Sequence, residues 1–149
     1  MKVSAKVECG IVALLDIAIN CTDGSVVKVV NIARRQGVSA KYLEQILPIL
    51  RNASLIRSVK GARGGYTLAK EPEKITLCQV IEALDISLLN DSSFDENLDP
   101  LIAGAISDKL WSRMNANLRQ CAESVTIADL VSCYQEQSQF NTEALFYYI

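Results

Sequence analysis

Apolar residues near the start of the chain recur at helical spacing. Between Lys2 and Asn20 they return every three or four residues, at Val3, Val7, Ile11, Leu14 and Ala18. This pattern predicts a first amphipathic helix. A second, short helix is predicted from Val26 to Arg35, ending at Gly37, because glycine readily adopts the left-handed conformation that follows many helices.

A third helix is predicted to begin after Ser39, which occupies the N-cap position. One face of this helix is apolar, with Leu43, Ile46, Leu47 and Leu50. The other face carries Lys41, Tyr42, Glu44 and Gln45. Because apolar residues at this spacing face a core, the polar set is expected to face outward.

A β-hairpin is predicted next. The segments 55–59 and 66–68 have β-type composition, and the turn between them, from Lys60 to Gly65, holds three glycines and two cations. After the hairpin, Thr76 and Gln79 have the spacing of a capping box. A fourth helix is therefore expected, with Leu77, Val80, Ile81 and Leu84 on its buried face.

The periodicity fails from Asp85 to Asp99, which predicts a loop. Asp99 and Pro100 then suit the start of a helix. Apolar residues continue for about six turns, which predicts the longest helix of the chain. These residues are Ile102, Ile106, Leu110, Met114, Leu118 and Cys121. A short last helix is predicted from Thr126 to about Tyr134, followed by a polar tail with an apolar end at 145–149.

The order of elements predicts a mainly α fold with a small β-hairpin. Three short helices followed by a basic hairpin are typical of a winged helix-turn-helix, here extended by a long helix. We expect a DNA-binding domain at residues 1–84, a linker or sensor loop at 85–99, and a dimerisation helix with a C-terminal tail at 100–149.

Charge is divided unevenly along the chain. Residues 1–70 carry 11 Lys or Arg and 4 Asp or Glu, a net +7, whereas residues 71–149 carry 4 and 13, a net −9. This asymmetry is typical of a part that faces a polyanion joined to a part that does not. No segment is apolar over the ~20 residues that a membrane span needs, and no secretory signal is present, so a cytoplasmic location is expected.

Catalysis and metal binding are not indicated. The chain has no histidine, and its five cysteines, Cys9, Cys21, Cys78, Cys121 and Cys133, show no Cys-x-x-Cys pair. It also lacks a glycine-rich phosphate loop opening a helix. No catalytic or metal-ligating residue is therefore predicted, and an enzyme is not expected.

The N-terminal part of the third helix and the hairpin tip are the predicted DNA contacts. A recognition helix places its first residues against base edges, where Gln can pair with adenine and Glu can accept from cytosine. Cations and close-approaching glycines at the tip suit phosphates or a narrow minor groove. The predicted set is Ser39, Lys41, Tyr42, Glu44, Gln45, Lys60, Gly61, Arg63 and Gly64.

A helical protein-interaction module is the alternative interpretation. Its basic half would bind an acidic partner, which explains the charge but not a glycine-rich hairpin after three helices. A steeply salt-dependent electrophoretic shift with random DNA would separate the two interpretations.

The motifs also resemble those of the Rrf family of winged helix-turn-helix transcriptional regulators. The similar segments are the first six residues, residues 42–45, residues 55–66 and residues 75–77. One departure is Cys9, where family members commonly have tyrosine. The resemblance implies a repressor that binds double-stranded DNA as a homodimer through the long helix, by Ile102, Ile106, Leu110, Met114 and Leu118. A two-fold dimer predicts a palindromic operator.

The resemblance also bears on cofactors and effectors. Members with an iron–sulfur cluster hold it with three closely spaced cysteines in the loop before the long helix, and residues 85–99 contain none. No cofactor is therefore expected, as in the cluster-free, CymR-like members. Regulation through Cys9 or Cys21, or through a small molecule or protein received by residues 85–99, stays open.

Overall fold

The computed structural model describes residues 3–90 and 97–148. Its helices are α1 (Ala5–Asn20), α2 (Val29–Gln36), α3 (Ala40–Asn52), α4 (Leu77–Leu84), α5 (Pro100–Ile106), α6 (Ser112–Ser124) and α7 (Ile127–Tyr147). A π turn, Ser107–Trp111, joins α5 to α6, and short 3-10 turns cover Pro72–Lys74 and Ile86–Leu89. Strands β1 (Ile56–Val59) and β2 (Gly65–Leu68) form an antiparallel pair. The predicted mainly α fold with one hairpin is confirmed.

The core lies where α1, α3 and α4 pack together, with α2 and β1 along its sides. The apolar stripe predicted for α3 is buried throughout, and that of α4 is buried except for the half-buried Leu77. The stripe predicted for α1 is buried only at Val7 and Leu14, because the buried face of this helix runs through Ala13 and Ile17 and leaves Val3 exposed. Fully buried side chains include Leu14, Ile17, Ile32, Leu43, Leu47, Leu50, Ile56 and Ile75. Each such side chain contributes roughly 1.5–3 kcal/mol when removed from water, so this cluster is the main stabilising element.

The helix-turn-helix is formed by α2 and α3. Gly37 ends α2 with φ 66° and ψ 31°, the left-handed conformation expected of it. Ser39 caps α3 by accepting a hydrogen bond from the backbone N–H of Tyr42 at 3.2 Å. The predicted start of α2 at Val26 is wrong, because Val27 pairs with Tyr66 of β2 and the helix begins at Val29.

The sequence predicts a loop from Asp85 to Asp99, but this polar region is not a loop throughout. The structure places a 3-10 turn at Ile86–Leu89, where Leu89 reaches the core and is 3% exposed. Asp99 caps α5 as predicted, accepting from the N–H of Leu101 at 2.9 Å. Residues 91–96 lie outside the described part of the chain.

The long helix, residues 100–124, runs from α5 through the π turn into α6. Its apolar residues are spaced by four, and in a regular α-helix each such step rotates by about 40° away from a single face. A π turn accommodates an extra residue and offsets that drift. The π turn at Ser107–Trp111 therefore reduces the drift summed along the stripe.

Helix α7 is longer than predicted. Its first turn belongs to the core, since Ile127 is fully buried and its N–H donates to the carbonyl of Ile75 at 2.9 Å. Thr126 and Asp129 form the capping box that starts it. The predicted end near Tyr134 is wrong, because the helix continues to Tyr147. No helix in the described ranges combines the length and the hydropathy needed to cross a membrane.

Candidate nucleic-acid interface

The outward face of α3 carries the predicted recognition residues. Lys41, Glu44 and Gln45 are exposed, whereas Leu43, between them in sequence, is fully buried. Tyr42 is half-buried and packs against the core, so its ring is fixed at the edge of this face. The N-cap role of Ser39 places its hydroxyl at the exposed start of the helix. Polar side chains thus lie together at the N-terminal end of α3, where a recognition helix meets base edges.

The wing, residues 56–68, has a tip whose shape depends on glycine. Gly61 has φ 103°, a conformation that side chains disfavour. A Cβ on Gly64 would collide with the carbonyl oxygen of Val59, and one on Gly65 would lie 2.6 Å from that of Val27. The two strands can close this tip only because these positions lack side chains. Lys60 is left exposed on it, and Arg63 extends from the same turn.

The wing is attached to the start of α2. Val27 and Tyr66 exchange two backbone hydrogen bonds of 2.8 Å, which adds a third short segment beside β2. The ammonium group of Lys28 donates to the carbonyl oxygen of Ala62 at the tip, at 3.1 Å. The hairpin and the helix-turn-helix are therefore held in one arrangement. Sequence reasoning missed both contacts because each joins residues more than 30 positions apart.

A buried ion pair fixes α2 on α1. The guanidinium of Arg35 donates two hydrogen bonds to the carboxylate of Asp16, at 2.7 and 3.0 Å, and the amide of Gln36 donates a third at 2.8 Å. Asp16 is only 1% exposed. Burial by itself would raise the pKa of Asp16, but the bonds from Arg35 and Gln36 outweigh it, so the pKa is lowered.

The surface formed by α3 and the wing is rich in uncompensated positive charge. Lys41, Lys60 and Arg63 make no ion pair with any residue in the described ranges. Glu44 is the one acidic side chain among the predicted contacts. A basic surface with a few polar groups able to read bases is the arrangement used to bind DNA.

Comparisons with known proteins agree with this geometry. A sequence profile of the Rrf2 family, described as iron-dependent transcriptional regulators, matches residues 3–133. The chain belongs to the Rrf2 family. The family resemblance seen in the motifs is thereby confirmed. The expected roles in transcription regulation and DNA binding are confirmed as well. Its relatives are regulators and not enzymes, which confirms that expectation too.

Individual relatives match most of the chain. The HTH-type transcriptional regulator IscR of Yersinia enterocolitica is 32% identical over 134 residues, which is 89% of this chain and 80% of IscR. Among solved structures, CymR of B. subtilis, described as its global cysteine regulator, has a TM-score of 0.75 and 30% identity, covering 89% of this chain and 97% of CymR. T. potens IscR has a TM-score of 0.73 and 34% identity, covering 92% and 90%.

The donor residues of this chain do not fit an iron–sulfur cluster. Its cysteines are dispersed over α1, the end of α1, α4, α6 and α7. Within residues 3–90 and 97–148, no three His, Cys, Asp or Glu side chains are grouped as metal ligands. The segment 91–96 contains no cysteine. Three thiolates therefore cannot converge in the region before the long helix.

The two cysteines considered as oxidant sensors have different surroundings. Cys9 is 6% exposed, and burial together with the nearby charge of Glu8 raises the pKa of its thiol, which disfavours the reactive thiolate. Cys21 is half-buried, and its thiol lies 2.6 Å from the carbonyl oxygen of Ser25 and 3.0 Å from the hydroxyl of Thr67. Oxidation at Cys9 is thus the less favoured hypothesis.

The predicted dimerisation residues divide into two groups. Ile102, Ile106, Leu110 and Met114 are all exposed, between 37% and 57%. Leu118 is instead half-buried against the core and lines an apolar groove with Leu77 and Ile81. The exposed four form a stripe that one copy of the chain leaves open to solvent.

Proposed function

We propose that this chain is a sequence-specific repressor that binds a palindromic operator in double-stranded DNA as a homodimer. The main support for this proposal is that the N-terminus of α3 and the wing tip are held in one arrangement by the pairing of Val27 with Tyr66. On this proposal Glu44 and Gln45 read base edges. Lys60 and Arg63 bind phosphates or the minor groove beside them, and Ser39, Lys41 and Tyr42 position α3 on the backbone. Gly61 and Gly64 let the tip approach closely.

The dimer is supported by the exposed stripe on the long helix. Four large apolar side chains on one helical face are costly to leave in water, and a second copy would cover them. We keep the division into a DNA-binding part at 1–84, a connecting or sensing segment at 85–99 and a dimerising part at 100–149 as part of this proposal. A two-fold dimer places two recognition helices about one DNA turn apart, hence a palindrome.

We also propose that the repressor acts in the cytoplasm without an iron–sulfur cluster. The dispersed cysteines support this proposal. An iron assay and an absorption spectrum of protein purified without oxygen test it. A colourless, iron-free protein that binds its operator is the expected result, and a brown protein containing stoichiometric iron would contradict it.

Selection of bound sequences from random double-stranded DNA tests the function itself. The wild-type protein is expected to enrich an inverted repeat, and Glu44→Ala to enrich a repeat relaxed at one base per half-site. The matched control is Glu82→Ala, an exposed glutamate on α4 outside this surface, which should enrich the wild-type sequence. Enrichment of no sequence would reject the proposal in favour of the protein-interaction module. Activity as a repressor is then tested by transcription from a promoter that overlaps the site.

A further inference from the structure

The second half of α7, which we call the C-terminal arm (residues 133–147), carries a seam typical of paired helices. Cys133, Gln137, Phe140, Ala144 and Tyr147 follow one another at spacings of four, three, four and three residues, which is the heptad pattern. Phe140 is 72% exposed and Tyr147 is 92% exposed. The match to the family profile ends at residue 133, where the arm begins. Such a seam requires a partner helix.

Charge along the arm is acidic only. Residues 134–148 contain Glu136 and Glu143 and no Lys or Arg. These two glutamates are seven residues apart, which is two helical turns, so they lie on the same edge of the seam. Two arms packed against each other in antiparallel fashion would therefore bring glutamates together, and like charges oppose such a contact. The apolar and acidic surface of the arm is therefore complementary to a partner surface that is apolar and basic.

The long helix has that chemistry. Beside its exposed stripe lie Lys109 and Arg113, four residues apart and thus on one edge. Neither forms an ion pair with a residue of the described ranges. Viewed along the helix from its N-terminus, the two cations lie to one side of Leu110. The two glutamates lie to the same side of Phe140 in the arm. When two helices pack antiparallel, edges on the same side of their seams face each other.

Within one copy, Phe140 and Tyr147 of the arm and the stripe from Ile106 to Met114 stay exposed. We therefore infer that the arm of one copy packs antiparallel along the long helix of a second copy. In this contact Phe140 and Tyr147 cover the stripe from Ile106 to Met114, with the two glutamates beside the two cations. The inference rests on the proposed homodimer and names the contact that specifies it. Two-fold symmetry produces the contact twice.

A charge exchange between two variants tests this contact. One variant is Glu136→Lys with Glu143→Lys, and the other is Lys109→Glu with Arg113→Glu. Alone, each places like charges in both contacts, and self-association should weaken at least about 10-fold. In a mixed dimer both contacts pair opposite charges, because one contact is the wild-type pair and the other has both signs reversed. A mixed dimer with near wild-type affinity is therefore expected. Sedimentation equilibrium at about 50 mM salt is the measurement, because higher salt screens exposed charges.

The control adds positive charge to the opposite face of the same arm, by Gln135→Lys with Gln139→Lys, and should self-associate like the wild type. Circular dichroism verifies that every variant is folded. Wild-type self-association of either charge variant, or failure of the mixture to recover it, would overturn the contact. If those results accompany a selected palindrome, the proposed function stands and only this contact is wrong. A monomeric wild type that selects no palindrome would reject both.

Discussion

The N-terminal half and the C-terminal half of the chain differ in how much apolar surface a single copy buries. In residues 3–90 the large side chains of α1, α3 and α4 form one closed cluster with Leu14, Leu43 and Leu47 at its centre. In residues 97–148 large side chains such as Leu101 and Phe140 remain 84% and 72% exposed. The core lies almost entirely in the first half, with Ala122 and Ile127 added from the second, whereas the second half leaves large apolar side chains exposed in a single chain.

Net charge also divides along the chain, at a cut after residue 70: residues 1–70 carry +7 and residues 71–149 carry −9. The first of these segments is therefore complementary to a polyanion, and the second repels it. Stability and DNA affinity should depend on the first half, and assembly on the second. Substitutions of equal chemistry placed in the two halves are the means of testing this separation.

The largest expected effect comes from truncating matched leucines. Leu47→Ala leaves a cavity in the closed core and should lower the free energy of unfolding by about 3 kcal/mol. Leu110→Ala, at a position 46% exposed, should change the unfolding of the single chain by less than about 0.5 kcal/mol. Its effect should instead be weaker self-association. Urea unfolding at two protein concentrations measures both effects, and an equal loss for the two variants in dilute protein would contradict the separation.

The second effect concerns the ion pair beneath the recognition unit. Asp16→Asn removes the buried carboxylate and leaves Arg35 without its partner, although Arg35 is one-third exposed and can turn toward water. We expect a loss of about 2 kcal/mol, below the 3–5 kcal/mol of a fully buried pair. DNA affinity should fall as well, because α2 loses its fixed position on α1. Thermal unfolding and DNA titration of the same sample provide the measurements.

The pH dependence of that loss has a defined sign. The pKa of Asp16 is lowered from its ordinary value of 3.8, so the pair stabilises the fold above that pH and the stabilisation disappears as pH falls through the folded-state pKa. The difference between wild type and Asp16→Asn should therefore be constant from about pH 5 to 8 and shrink below about pH 4. A difference that grows on acidification would contradict this account.

The third effect separates the proposed reading of bases from the proposed binding of phosphates within the N-terminal half. Gln45→Ala should cost about 1–3 kcal/mol at one position of each half-site and relax the preference there. Lys60→Ala with Arg63→Ala should weaken binding to all sequences alike and reduce the salt slope by about 2 per wing, if each cation contacts one phosphate. Titrations of operator and random duplexes at several salt concentrations measure both. Similar losses of preference in the two variants would argue against the division of roles.

The smallest effect is expected where the two halves of one copy touch. Arg119 of α6 donates to Glu82 of α4 at 2.9 Å, and both side chains are about two-fifths exposed. An ion pair of this kind is worth less than about 1 kcal/mol. Glu82→Gln should thus change the unfolding midpoint only slightly. A loss of stability as large as that of Asp16→Asn would contradict the expectation that an exposed ion pair contributes less than a buried one.

Local signals in the sequence predicted much of this fold. The caps at Ser39, Thr76 and Thr126 and the turn at Gly37 were all identified, because each depends on residues within three positions of one another. The glycine-rich tip was identified for the same reason. The exposure of Lys41, Glu44 and Gln45 follows from the amphipathic pattern of α3, and their role in recognition stays a prediction.

Contacts between distant positions were not predicted. Val26 and Val27 suit a helix or a strand equally, and only the pairing with Tyr66 decides between them. The bond network of Asp16 joins residues about 20 positions apart, and nothing in the sequence near Asp16 indicates it. The length of α7 was missed because five polar residues, all Gln, Glu or Ser, separate Phe140 from Tyr134. The heptad spacing is visible only once the helix is known.

The central claim is that one half of the chain binds DNA while the other half joins two copies. The most direct test is the mass of the protein–DNA complex, measured by sedimentation on a duplex with the selected inverted repeat and on one with a single half-site. Two chains are expected per full site. Affinity for the single half-site should be lower by at least about 100-fold, because only one of the two recognition helices then meets its bases. One chain per full site, bound as tightly as to the half-site, would contradict the account.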